Sequence, residues 1–179
     1  MAAKKAVKKA LAPAVAAMPY TGNSDAEGKT AAHPAARKLM SILTNNGFSN
    51  LGIYANRNMR QAPGDTKPPR VSVHSTGRAL DAGYKQSRQP AITAFCDWLA
   101  DHHRELLIEE IHQYTWEGSS YGRGFRCNRN GKPGWLEWSA QSNGGPGGFW
   151  LHIEVAPNQT PEGLVRAWKK IQHSRPPLP

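Results

Sequence analysis

The chain has 179 residues, room for one domain of ordinary size with a tail, and 39% of them are apolar, enough for a packed core. Basic residues exceed acidic ones by ten, which favours anionic partners: nucleic acid, a membrane surface or an anionic bacterial wall. Two cysteines, Cys96 and Cys127, exclude a disulfide framework, and no apolar run approaches the roughly 20 residues of a membrane-crossing helix, so a soluble protein is expected.

Residues 1–18 are almost entirely Ala, Lys, Val, Leu and Pro, and Lys4, Lys5, Lys8 and Lys9 carry four of the excess charges. A leader with Ala10–Ala17 as its apolar part is one reading, although Pro13 interrupts it; a mobile arm that touches polyanions loosely or tethers the domain is the other. Polar, glycine-bearing residues 19–30 read as a linker, so residues 1–30 are expected to lie outside the folded body, which runs over 31–175 with 176–179 as a tail. Pro34 suits the first turn of a helix reaching about Asn46, with Leu39, Met40, Ile42 and Leu43 as its apolar stripe and Asn46-Gly47 as its stop. Leu51–Ala55 reads as a short strand, followed by the basic turn Asn56-Arg57-Asn58-Met59-Arg60.

The stretch Ser72-Val73-His74-Ser75-Thr76-Gly77-Arg78-Ala79-Leu80-Asp81 sets a histidine and a carboxylate on either side of a glycine. Gly77 can take a positive φ, which lets the chain turn after His74 and run into a strand in which Ala79 and Asp81 share a face. An imidazole nitrogen and a carboxylate oxygen are two of the ligands that an open zinc site uses. At every fixed position the stretch resembles the S-x-H-x-x-G-x-A-x-D signature of the Hedgehog/DD-peptidase superfamily, zinc peptidases that include D-alanyl-D-alanine carboxypeptidases and dipeptidases and phage L-alanyl-D-glutamate endopeptidases. The resemblance implies that His74 and Asp81 bind Zn2+ and that a histidine near the end of the domain completes the set.

Beyond Tyr84, a helix from about Pro90 to residue 105 has Ile92, Phe95, Cys96, Leu99, His103 and Leu106 at helical spacing, with Cys96 as a core residue. Leu107–Trp116 reads as a strand whose one face carries Ile108, Glu110, His112, Tyr114 and Trp116, polar enough to line a cleft. Residues 118–148 are glycine-rich, with Arg123, Arg126 and Arg129 among aromatics, an arrangement able to grip nucleic acid, glycan or peptide. In Phe149-Trp150-Leu151-His152-Ile153-Glu154-Val155, alternation buries Phe149, Leu151, Ile153 and Val155 and displays Trp150, His152 and Glu154 on the other face. A last helix starts at the N-cap Thr160 with Pro161 behind it and runs to Ile171.

The expected fold is α+β: a small antiparallel sheet carrying His74, Asp81 and His152, flanked by helices in a single Hedgehog/DD-peptidase-like domain. By resemblance His152 is the third zinc ligand, and Arg57 or Arg60 holds a substrate carboxylate or the developing oxyanion. The superfamily's usual proton-accepting carboxylate, three residues before the last histidine, is replaced here by Phe149, and the first histidine of its H-x-H by Trp150. Glu154 and Glu137 are the expected stand-ins, with Glu110 a third, and Ser72, His112 and Trp150 are expected at the substrate cleft. The implied function is a zinc-dependent peptidase of bacterial peptidoglycan, acting outside the cell or on its wall as a phage lysin or virion component, including one made in the host cytoplasm before lysis. The alternatives are a metal-binding structural or wall-binding module without turnover, and a basic nucleic-acid-binding protein.

Overall fold

The computed structural model describes residues 16–59, 61, 64, 66–116, 119, 121–139 and 147–178. Its centre is one antiparallel sheet with the strand order β1-β2-β6-β3-β4-β5, built from β1 (Ser49–Gly52), β2 (Ala79–Gly83), β3 (Ile108–Gln113), β4 (Arg123–Arg129), β5 (Lys132–Glu137) and β6 (Trp150–Val155). Four helices, α1 (Pro34–Thr44), α2 (Gln89–Asp101), α3 (His103–Leu106) and α4 (Pro161–Ile171), complete a single α+β domain among the described residues.

The helices form where the chain supplies both a start signal and an apolar face. At α1, His33 is the N-cap, its Nδ1 accepting from the Ala35 amide at 3.3 Å, Pro34 occupies the first turn, and Ala35, Ala36, Leu39, Met40 and Leu43 face inward. At α4, Thr160 caps through a 3.0 Å bond from the Gly163 amide, and Leu164, Trp168 and Ile171 are buried. The expected single helix over 90–105 is instead two, because the chain leaves helical geometry at His102 (φ −101°, ψ 18°). His103 follows the break and is buried against Phe125.

Register decides which residues meet. Leu80 faces Ile153 and Ala82 faces Leu151 across β2 and β6, while Ile111 faces Ile153 across β3 and β6. These residues form the sheet's apolar face, fully buried under α1 and α2. Asp81 faces His152, which faces His112; Glu154 faces Glu110, which faces Arg126. All of these side chains lie on the opposite face, so the middle of the sheet is apolar on one side and ionisable on the other.

Residues 16–30 correct the expectation of an arm and linker over 1–30; residues 1–15 lie outside the described residues. Met18 is in the core, and the Tyr20 hydroxyl bonds to Glu110 while its ring lies 4.1 Å from the Arg126 guanidinium carbon. The segment is tied to the sheet by Arg78, whose side chain is 1% exposed. That guanidinium bonds to Asp25 at 2.9 Å, Glu109 at 3.2 Å, the Val155 carbonyl at 2.6 Å and the Gly22 carbonyl. A buried cation needs such a full set of acceptors, and half of this set comes from the segment read as a linker. Composition gave no sign of this, because Asp25 and Gly22 look like loop residues in the sequence.

Gly77 explains its fixed place in the signature: φ is +74°, and a Cβ there would sit 2.2 Å from the Ala31 carbonyl oxygen and 2.9 Å from the His33 nitrogen. Gly77→Ala is therefore expected to destabilise the protein by about 1–2 kcal/mol through φ alone and by more through the clash, read as a fall in the denaturation midpoint.

Candidate metal centre

The turn that carries His74 is a short 3-10 helix, Val73–Thr76, held at both ends by the residues the signature repeats. Ser72 caps it, its hydroxyl accepting from the His74 amide at 3.3 Å, and Gly77 closes it in the left-handed conformation with its amide donating to the His74 carbonyl at 3.0 Å. Ser75 bonds to the carbonyls of Ala55 and Arg57 at 3.0 and 3.1 Å, fastening the basic turn to the ligand turn. Ala79 is fully buried in register with Glu154 on the site face, where a larger side chain would press on that carboxylate.

His74 Nε2, Asp81 and His152 Nδ1 converge. The separations are 3.1 Å between the two nitrogens, 3.2 Å from His74 Nε2 to Asp81 Oδ2, and 3.0 Å from His152 Nδ1 to Asp81 Oδ1. Donors held about 2.0–2.1 Å from a tetrahedral zinc ion stand roughly 3.3 Å apart, so the three atoms fit one ion with little movement. Their partners also leave the correct lone pairs free. His74 Nδ1 lies 2.7 Å from the Ile53 carbonyl, which accepts its proton and leaves Nε2 for a metal. His152 Nε2 lies 3.0 Å from Glu154 Oε1, so Nε2–H donates there and Nδ1 is the ligand atom. A buried His-Asp-His group that could hold a metal ion is thus present, and it is the one such group among the described residues.

Electrostatics agree with this arrangement. Burial favours the neutral acid at Asp81, but hydrogen bonds from His152 and His74 outweigh it and hold the carboxyl well below its usual range. Burial likewise disfavours a charged His152, yet the carboxylates of Asp81 and Glu154 overcome it and push the imidazole up to about 10 in the metal-free protein.

The other expected site residues divide. Glu154 is on the site face but behind His152, bonded to the nitrogen that points away from Asp81; it orients a ligand and does not face the metal position as the expected base would. Glu137 is exposed on the edge strand β5, three strands or about 14 Å from β6, and the register through Arg123 and Gln113 to Leu151 puts it on the helix-packed side of the sheet. Its expected catalytic place is therefore not met. Ser72, expected at the cleft, is 5% exposed and acts as the cap of the ligand turn. Arg57 is exposed beside that turn, and its charge reaches Tyr114; Arg60 lies outside the described residues.

His112 and Trp150 are brought to the site. The His112 ring centroid is 5.3 Å from that of His152, and Trp150 stacks on Tyr114 with centroids 3.8 Å apart and planes 21° from parallel. His112 Nε2 bonds to Glu110 Oε1 at 2.7 Å, and Arg126 grips both Glu110 oxygens at 2.8–3.0 Å. Burial opposes ionisation of Glu110, but His112 and Arg126 more than offset it and bring its carboxyl down to about 2. The arginines of the 118–148 excursion are thus engaged within the chain: Arg126 on Glu110, Arg123 on Asp97 and Gln113, and Arg129 on the Gly124 and Gly134 carbonyls. The alternation Glu110-His112-Tyr114 signals this polar row in the sequence; the roles of Arg126, Tyr20 and the Ile53 carbonyl carry no local signal.

Glu154→Gln is expected to keep the fold and lower metal affinity about 10- to 100-fold, measured by competition with a chelating dye; a carboxylate serving as base would leave affinity unchanged. Because His152 is protonated below about pH 10 in the metal-free protein, binding must displace a proton. Affinity should accordingly rise about tenfold per pH unit from pH 7 towards 10, and calorimetry in buffers of different ionisation enthalpy should register about one proton released.

No protein-family model, curated protein or solved structure matches the chain, so the site stands on its own geometry.

Proposed function

We propose that the chain is a zinc-dependent hydrolase that cleaves an amide in the peptide part of bacterial peptidoglycan, acting on the wall as a phage lysin or virion component. The observation that carries the reading is the convergence of His74 Nε2, Asp81 and His152 Nδ1 in a buried cluster. The substrate class rests on the resemblance of Ser72–Asp81 to the peptidase signature. Two imidazoles and one carboxylate form a set that takes zinc or ferrous iron with a position left open, and the resemblance to the zinc peptidases selects zinc.

When bound, zinc supplies Lewis acidity toward a carbonyl and lowers the pKa of a water molecule. The chain's own residues do the rest. Ile53 and Glu154 hold the two histidines in the tautomers that present a lone pair. Asp81 contributes the negative charge, kept ionised by its histidine partners. The stacked Tyr114 and Trp150 form a wall beside the cluster, and the exposed Arg57, whose charge reaches Tyr114, is suited to a substrate carboxylate. Phe149 occupies the position of the usual base, which favours a second reading: a metal-binding module of the wall without turnover.

Incubation of zinc-loaded protein with purified muropeptides, followed by mass spectrometry, is expected to show one amide hydrolysed, and Asp81→Ala is expected to abolish both zinc retention and cleavage. Intact muropeptides with zinc fully loaded would establish the second reading instead.

A further inference from the structure

With Glu154 committed to His152 and Glu137 on the other face, no further carboxylate among the described residues faces the ligand set in the usual base position. What it has is a row of hydrogen-bonded side chains along the site face of β3. Glu110, 1% exposed, is clamped by Arg126 and the Tyr20 hydroxyl, so it is a fixed anionic acceptor. His112 Nε2 donates to it at 2.7 Å, which leaves Nδ1 as an acceptor; the Tyr114 hydroxyl lies 3.3 Å from Nδ1. The stack on Trp150 fixes the Tyr114 ring. The hydroxyl meets His112, whose ring centroid lies 5.3 Å from that of His152, so the row runs alongside the ligand cluster; burial, with the Asp81 carboxylate next, raises the Tyr114 phenol above its usual range. The order of donors is therefore Tyr114 to His112 to Glu110, the same logic by which a buried carboxylate and a histidine polarise a hydroxyl in hydrolytic triads.

Resting on the hydrolase reading, we propose that Tyr114 is the catalytic residue that orients the attacking water and takes its proton, with His112 and Glu110 as the positioning pair behind it. The Tyr114 oxygen keeps lone pairs free once its own proton is directed at His112. As the water oxygen forms its bond to the substrate carbonyl carbon, the water O–H breaks toward Tyr114 Oη and the Tyr114 proton passes to His112 Nδ1. Glu110 balances the charge gained by the imidazole. On collapse of the tetrahedral centre the C–N bond breaks and the proton returns along the same row to the leaving amine, so the residues end as they began. The row thus does the work of the carboxylate that Phe149 displaces.

The test uses the full-length zinc-loaded protein with purified muropeptides. Tyr114→Phe is expected to keep zinc stoichiometry and KM within about twofold and to lower kcat about 10²-fold or more. His112→Ala is expected to lower kcat similarly, and the double variant to be no worse than the poorer single one, since the residues act as a unit. Nitrogen-15 spectra of the zinc-loaded protein supply a readout apart from activity: His112 is expected as the Nε2–H tautomer, with an Nδ1 shift that moves in Tyr114→Phe. Wild-type kcat in Tyr114→Phe, or an unmoved Nδ1 shift, overturns the relay alone. Wild-type protein that leaves muropeptides intact overturns the hydrolase reading and the relay with it.

Discussion

A slip of one residue between β2 and β6 would carry Asp81 to the helix-packed face and set His152 against Leu80 or Ala82, and for this reason the pairing of these two strands governs the site. Strand side chains alternate with period two, so a slip exchanges the whole apolar set for the whole polar one. Leu80, Ala82, Leu151 and Ile153 oppose it, because each is fully buried on the helix side and would be traded for Asp81, His152 or Glu154. The core thereby sets the site's register. The same alternation on β3 delivers Ile111 to the core and Glu110 and His112 to the site.

The cost of this economy is a sheet centre with many buried charges. Glu110, Glu154, His152 and Arg78 are each at most 8% exposed, and a buried ion left without a partner is strongly destabilising. Each is matched: Glu110 by Arg126 and His112, Glu154 by His152, Arg78 by Glu109 and Asp25. Such pairs add little net stability compared with apolar packing, but they fix which nitrogen or oxygen points where. That orientation is what a metal site requires.

Much of the site was legible in the sequence because it is written in local patterns. The spacing from Ser72 to Asp81 encodes a cap, a left-handed glycine and a strand, and alternation after Phe149 singles out His152. What could not be read depends on register and on ring-atom identity. Alternation puts Glu154 on the face of His152, but only the choice of Nδ1 over Nε2 as the inward nitrogen shows that it stands behind the ring. Glu137 looked adjacent to the site because its loop precedes β6, whereas the β4–β5 hairpin folds that loop outward to the sheet edge. The segment 16–30 resembles a linker because its anchors are single residues, Met18, Tyr20 and Asp25, whose partners are 50 or more residues away.

The two histidines are braced unequally. His74 donates to a neutral backbone carbonyl, and His152 to a buried carboxylate. A carboxylate partner makes an imidazole a stronger electron-pair donor than a carbonyl does. His74 also sits on a short turn, while His152 is in a central strand bonded on both sides. Exchange of an ion would then be stepwise, opening at His74 while His152 and Asp81 keep hold, so the lifetime of the bound state is set on the loop side of the site and not in the sheet.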